Sequence, residues 1–131
     1  MRREELSEFL NRIPFNAYLG IRLVEIHRNG ITIACDLRPE LLNNSGTLHG
    51  GVTAALADVA VGVALSRLAH EARATTTELK INYLRPVSGG TVNARSHLLK
   101  VGKSLAVGRV DLSDGAGRLI GAALVSYMLL K

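Results

Sequence analysis

One short stretch of the chain combines glycines at the start of a helix with a carboxylate inside it. Residues 43–68 read NNSGTLHGGVTAALADVAVGVALSRL, a polar turn followed by an apolar segment with strong helix formers. Gly50 and Gly51 stand where the first helical turn leaves N–H groups unpaired, and these groups attract an oxygen anion. Asp58 is the single carboxylate of the segment. An oxyanion site and a carboxylate among apolar residues are two components of an active site for acyl transfer or hydrolysis.

Asp58 on its own would fit a structural or a functional role. A carboxylate left unpaired among apolar residues costs on the order of several kcal/mol or takes up a proton. The structural alternative is an Asp that is bonded to nearby backbone amides. The glycines ahead of the helix favour the functional role, because they let a ligand approach the backbone closely.

The spacing of these groups indicates how many chains form the site. Asp58 follows Gly51 by seven residues, which separates them by roughly 10 Å along a helix axis. A carbonyl under attack needs a donor about 3 Å from its oxygen and an attacking group about 3 Å from its carbon. Two antiparallel copies of the helix place Gly50 of one chain opposite Asp58 of the other. We therefore expect a site that is shared across a twofold dimer.

The pattern N-x-x-G-x-x-H-G-G from Asn43 to Gly51, followed by Asp58, resembles the motif of hotdog-fold acyl-CoA thioesterases. The similarity is strongest to the phenylacetic-acid-degradation branch of the 4-hydroxybenzoyl-CoA thioesterase superfamily, and it extends over nearly the whole chain. It implies hydrolysis of an acyl- or aryl-CoA thioester to a free acid and coenzyme A, without a cofactor. It also implies a homodimer or a homotetramer made of two dimers.

The resemblance assigns roles to five residues of the predicted site. Asp58 would be the nucleophile or the general base, and the Gly50 N–H would be the oxyanion donor. Asn43 would hold the thioester oxygen or the attacking water, although an Asn in a loop is often a turn former. His49 would donate to the ligand or only support the helix start. Thr76 would hold the water beside the carboxylate, or else lie on an exposed strand because of its β propensity.

Basic and amide groups that could bind the nucleotide part of coenzyme A lie in two predicted loops. Arg85 stands just before Pro86, and Lys103 and Ser104 stand in a glycine-containing turn. Cations and backbone amides are what phosphates need. The family binds the nucleotide near these places, while solvated turn residues are the alternative explanation for each.

The elements that must position these residues follow from the hydrophobic pattern. We predict a short helix over residues 3–12, a connector over 15–20 with Phe15, Tyr18 and Leu19 packed inward, and a central helix over 50–69. Alternating apolar residues predict strands, and Asn29-Gly30 predicts a hairpin between the first two. The predicted strands cover residues 21–27, 31–38, 72–84, 91–101, 105–112 and 119–130. The fold class is α+β: a long central helix wrapped by a curved, largely antiparallel sheet of five to six strands, which the resemblance identifies as the hotdog fold.

Composition limits the classes of partner. The 131 residues are expected to form one domain, 1–131, of which 47% are apolar and 21% charged. The net charge of +5 comes from scattered Lys and Arg, without the clustered basic residues and stacking aromatics of nucleic-acid-binding proteins. We expect no nucleic-acid partner, and a basic surface would suit an anionic small ligand.

Cysteine and histidine usage predicts no metal site. Cys35 is the single cysteine, which excludes an internal disulfide, and its alternating context predicts a buried thiol. His27, His70 and His97 lack metal-ligand spacing, and we expect them at the surface.

The chain is expected to be cytoplasmic, with no membrane partner. It begins MRREELSEFL, an amphipathic charged pattern rather than a secretory signal. Asp58 and Arg67 within the long apolar segment argue against a membrane span.

Two alternative functions accompany the thioesterase reading. A non-catalytic acyl-CoA-binding protein could use the same pocket without turnover. A hotdog hydratase or dehydratase would be expected to pair the Asp with a His a few residues further along the helix. This chain has Val63 five residues after Asp58, which argues against that activity.

Overall fold

A computed structural model describes residues 1–68 and 73–130 and folds them as one antiparallel sheet around a long helix. The sheet has six strands in the order β1-β2-β4-β5-β6-β3, and every neighbouring pair is antiparallel. This confirms the predicted fold class, at six strands. His70 lies outside the described residues. The elements in chain order are α1 Arg3–Arg12, α2 Pro14–Leu19, β1 Arg22–His27, β2 Gly30–Asp36, α3 Gly50–Leu68, β3 Arg73–Tyr83, β4 Thr91–Val101, β5 Leu105–Ser113 and β6 Leu119–Leu130.

The central helix α3 packs one side against the inner face of the sheet. Leu56, Ala60 and Val61 are fully buried there. Gly108 on β5 allows this close packing, because a Cβ at that position would lie 2.8 Å from a methyl group of Val61. By length and composition α3 could also cross a membrane, but its contacts with the strands identify it as the core helix of the fold.

A second stripe of α3 remains only half-covered by the described chain. It contains Ala55, Asp58, Val59 and Gly62, spaced three or four residues apart so that they share one face. The neighbouring strand β3 forms an edge of the sheet, and nine of its eleven residues are exposed. A long exposed edge strand presents unpaired backbone groups that favour pairing with another chain.

The N-terminal region differs from its prediction in one element. The helix over residues 3–12 is confirmed, but residues 14–19 form α2 instead of a connector. Pro14 stands in the first turn of α2, where proline is favoured, and Gly20 ends the helix at φ 72°.

The side chains of α2 also correct the expected packing. Leu19 is buried as predicted, whereas Phe15 is 53% exposed and Tyr18 is 67% exposed. The physical reason is the helical spacing, since Asn16 and Leu19 share the inner face and Phe15 and Tyr18 therefore point outward.

A β-bulge explains the irregular pattern of the first strand. The pairing of β1 with β2 shifts between Leu23 and Glu25. The extra residue changes the alternation, so Leu23 and Ile26 both contact the core. The predicted hairpin at Asn29-Gly30 joins these strands.

Candidate active site

The carboxyl group of Asp58 is held by two hydroxyl groups from the sheet. Thr76 Oγ1 donates to Asp58 Oδ1 at 2.8 Å. The Tyr127 hydroxyl lies 2.6 Å from the same oxygen and 3.0 Å from the Asp58 backbone carbonyl. Thr76 and Tyr127 are direct partners across β3 and β6, so the register of one strand pair brings both hydroxyls to one carboxylate oxygen. No residue in the described ranges 1–68 and 73–130 donates to Oδ2.

Tyr127 was not predicted from the sequence. Its side chain is 8% exposed, and burial raises the pKa of its hydroxyl, which the hydrogen bond to Asp58 raises further. The hydroxyl is therefore a neutral donor to the carboxylate. Gly62 carried a sequence signal for it, since a glycine inside a helix often marks a close neighbour. A Cβ on Gly62 would lie 2.5 Å from the Tyr127 hydroxyl oxygen.

The start of α3 leaves one N–H group available. His49 Nδ1 accepts the N–H of Gly51 at 2.8 Å, so the imidazole caps the helix and a neutral ring carries its proton on Nε2. Within the described part of the chain, the Gly50 N–H has no acceptor. The Tyr83 hydroxyl donates to the Gly50 carbonyl at 2.7 Å and ties the helix start to β3. The arrangement suits an incoming anion at Gly50.

Asn43 uses its side chain within its own turn. Its Oδ1 accepts the N–H groups of Ser45 at 2.9 Å and Thr47 at 3.1 Å, and its Nδ2 donates to Thr47 Oγ1 at 2.9 Å. These bonds are those of a turn former, the alternative that the sequence left open. Asn43 nevertheless lines the same cavity as Gly50.

Gly50 and Asp58 open into different cavities of the protomer. The Gly50 cavity has a volume of about 530 Å³ and is also lined by Tyr83 and Arg85. The Asp58 cavity has a volume of about 650 Å³. Most of the side chains that line the second cavity are apolar, among them Phe9, Ile13, Phe15, Val59, Val63, Leu65, Leu129 and Leu130. Because eight residues separate Gly50 from Asp58 on a continuous helix, they lie about 12 Å apart along its axis.

The predicted nucleotide-binding residues lie at opposite ends of β6. The Arg85 N–H bonds to the Ile120 carbonyl near the start of this strand. The Ser104 carbonyl accepts the N–H of Leu129 near its end, and Lys103 is the exposed neighbour of Ser104. Nine residues of strand span roughly 30 Å, so a single protomer does not bring Arg85 and Lys103 together.

The remaining titratable candidates lie away from Asp58. His27 on β1 and His97 on β4, the two strands that flank β2, are half-buried, so each is only partly exposed at the surface where it was expected. Cys35 is 1% exposed, which confirms the buried thiol, and burial raises its pKa. In the described ranges, three or more His, Cys, Asp or Glu side chains never gather in a metal-binding arrangement. The absence of a bound metal stays a prediction.

Comparison with known proteins gives consistent matches. The profile of the thioesterase superfamily matches residues 45–121. The medium/long-chain acyl-CoA thioesterase YigI of Salmonella typhimurium is 33% identical over 92% of this chain and 88% of its own.

Solved structures share the fold. The thioesterase HI1161 of Haemophilus influenzae superposes with a TM-score of 0.92 at 23% identity, over 100% of this chain and 92% of that chain. A mutant of the phenylacetic acid degradation protein PaaI from Thermus thermophilus superposes with a TM-score of 0.81 at 27% identity, over 89% of this chain and 99% of that chain.

Proposed function

Because the chain belongs to the thioesterase superfamily and is a thioester hydrolase, we propose that it hydrolyses an acyl-CoA thioester to a free acid and coenzyme A. The observation that carries this proposal is the arrangement along α3. Among the residues that the structure describes, the N–H group at its start finds no acceptor, and the carboxylate two turns later has one oxygen without a donor. We assign residues 1–131 to one hotdog domain of the phenylacetic-acid-degradation branch, on the motif from Asn43 to Asp58 and the similarity to PaaI.

In the proposed reaction, the carboxylate and the amide act on opposite sides of the thioester. The Gly50 N–H donates to the carbonyl oxygen and stabilises the negative charge that develops on it. Asp58 Oδ2 either attacks the carbonyl carbon or takes a proton from a water that attacks it. Attack by Asp58 expels the coenzyme A thiolate and leaves an anhydride that water hydrolyses. General-base attack gives the free acid and thiol directly, with Thr76 beside the carboxylate as a water ligand.

Two protomers are needed to bring these groups to one thioester. In one chain, Tyr83 lies beside Gly50 and Thr76 lies beside Asp58, at opposite ends of β3. A twofold axis near Lys80 would make two copies of β3 antiparallel neighbours. Gly50 of one protomer would then face Asp58 of the other, which supports a shared site.

The faces of the β3 residues are consistent with this register. Leu79 and Ile81 pair with inward-facing partners on β6, and an axis at Lys80 would pair Leu79 of one copy with Ile81 of the other. The bulge between Thr76 and Glu78 adds one residue to this part of β3. Thr76 of one copy would therefore stand opposite Tyr83 of the other, and both side chains face inward. Outward-facing Lys80 would stand directly opposite Lys80 of the other copy, an unfavourable like-charge pair, and diagonally across from Glu78 of that copy, a favourable charge pair that offsets it.

The two cavities would bind different parts of the substrate. The apolar cavity beside Asp58 would hold an aliphatic or aromatic acyl group, and YigI is named for medium- and long-chain substrates. Arg85 stands beside Gly50, while Lys103 and Ser104 lie toward the Asp58 end of the sheet. In a shared site, these groups would come from two protomers to one coenzyme A. His49 and Asn43 would shape the oxyanion half through their bonds in the turn.

A panel of acyl-CoA esters assayed for free thiol tests the proposal. The unaltered protein is expected to release thiol, with Asp58→Asn as the isosteric control. Asn keeps the hydrogen-bond acceptor at this position but cannot attack or accept a proton, so turnover should be lost while acyl-CoA binding is retained. Binding without turnover by the unaltered protein would favour the acyl-CoA-binding alternative. Full turnover by Asp58→Asn would remove Asp58 from the mechanism.

A further inference from the structure

We propose that Tyr127, seated against Gly62, is a positioning residue that holds Asp58 with Oδ2 directed at the substrate. This rests on the proposed function of Asp58. Tyr127 would touch no atom of the reacting thioester and would act only through the carboxylate.

The first support is the number and geometry of the contacts. The Tyr127 hydroxyl lies within hydrogen-bond distance of two Asp58 oxygens, the side-chain Oδ1 at 2.6 Å and the backbone carbonyl at 3.0 Å. Contact with both the backbone and the side chain of one residue restricts the rotation of that side chain. Hydrogen bonds to a charged group are about twice as strong as neutral ones.

The second support is that the hydroxyl groups of Tyr127 and Thr76 both lie against the same oxygen of Asp58. Thr76 donates to Oδ1 as well, at 2.8 Å. With Oδ1 occupied twice, the carboxylate keeps its electron pairs on Oδ2 for the substrate or a water. Thr76 is exposed on the edge strand β3, whereas Tyr127 is almost fully buried on β6. The buried tyrosine is thus the more rigid of the two donors.

The third support is the space that Gly62 provides. Gly62 follows Asp58 by four residues, on the same face of α3. A Cβ there would lie 2.5 Å from the Tyr127 hydroxyl oxygen and 3.1 Å from the ring carbon that bears it. A side chain at position 62 would push the hydroxyl away from Asp58. A glycine in the interior of a helix is destabilising, and this contact explains why a glycine stands at position 62.

The test compares steady-state kinetics of Tyr127→Phe with those of the unaltered protein on one acyl-CoA. Loss of a hydrogen bond to a charged group is expected to lower kcat by about tenfold to a hundredfold. KM should stay within about twofold, because the substrate loses no contact. Tyr18→Phe is the matched control, since Tyr18 is exposed and stands against Arg38, away from Asp58. It should leave kcat unchanged.

Gly62→Ala supplies a second variant that retains the hydroxyl and displaces it. If both variants act through the same contact, the double variant should be scarcely slower than Tyr127→Phe alone. If the two residues instead have separate structural roles, each substitution lowers kcat independently, and the two factors multiply in the double variant. A thermal melt of each variant identifies any that fails to fold.

Three outcomes decide between the proposals. A lowered kcat with unchanged KM, and a non-additive double variant, support the positioning role. If Tyr127→Phe keeps full kcat while Asp58→Asn is inactive, the positioning role is overturned and the proposed function stands. If Asp58→Asn is fully active, the proposed function fails, and this inference fails with it.

Discussion

Gly50 and Asp58 lie on one continuous helix, yet each opens into a cavity that the other does not line. They are about 12 Å apart along the helix axis, which is too far for both groups of one chain to reach the carbonyl of one thioester. The half-covered stripe of α3 and the exposed edge of β3 would be the surfaces that the proposed second copy covers. The proposed chemistry and the proposed dimer therefore depend on the same geometry.

Thr76→Val should slow turnover and leave the fold intact. Valine keeps the shape and the β propensity but removes the donor to Asp58 Oδ1. We expect kcat to fall by about tenfold, the effect of one hydrogen bond to a charged group. Thr75→Val is the control, because Thr75 pairs with exposed Met128 on the outer face. Equal activity of the two variants, measured by thiol release, would argue against a role for the Thr76 hydroxyl.

Lys80→Cys should form a disulfide-linked dimer on mild oxidation. A twofold axis near residue 80 brings two copies of that residue within the Cα separation of about 4.4–6.8 Å that a disulfide needs. Cys35 is buried and should not compete. Asn82→Cys is the control, since its two copies would lie about four residues apart along the paired strands, roughly 13 Å. Crosslinking at 82 and not at 80, read on a non-reducing gel, would contradict the register.

Stability should decrease as pH falls below about 6.5. Burial lowers the pKa of His27 and of His97, each from an ordinary value of 6.5. Arg95 lowers both further, while Glu25 and Asp111 partly oppose the shifts. As pH falls, the two histidines therefore bind protons in the unfolded chain before they do so in the folded protein. The free energy of unfolding decreases between pH 6.5 and the lowered pKa values of the folded state, and it does not change above pH 6.5.

Thermal melts between about pH 5 and 8 would measure this dependence on the two imidazoles. A His27→Gln/His97→Gln variant should melt with a flatter pH profile in that window. An equally steep decline in the variant would assign it to other groups.

The sequence predicted the elements that depend on local pattern. The strand alternations, the Asn29-Gly30 hairpin and the apolar helix from residue 50 are all confirmed. The helix α2 was missed because Pro14 was interpreted as a stop, although proline is equally suited to the first turn of a new helix.

The site was less predictable, because it depends on register between distant segments. Thr76 was placed beside Asp58 through the family resemblance, and the structure brings the two together. Tyr127 follows Asp58 by 69 positions, and only the pairing of β6 with β3 brings its hydroxyl to the carboxylate. No local pattern specifies that pairing, and Gly62 was the single hint of it.

The most direct measurement of the shared site is the activity of a heterodimer that carries one lesion in each protomer. Gly50→Pro removes the N–H of the first residue of α3, a position that accepts proline. Asp58→Asn removes the acid function. Each homodimer should be inactive.

Co-expression with two different affinity tags yields the heterodimer, which would contain one doubly altered site and one intact site. We predict about half the activity of the unaltered dimer, because a twofold dimer with shared sites keeps one of its two sites. An inactive heterodimer that is folded and dimeric would contradict the shared site, since each protomer would then use its own Gly50 and Asp58.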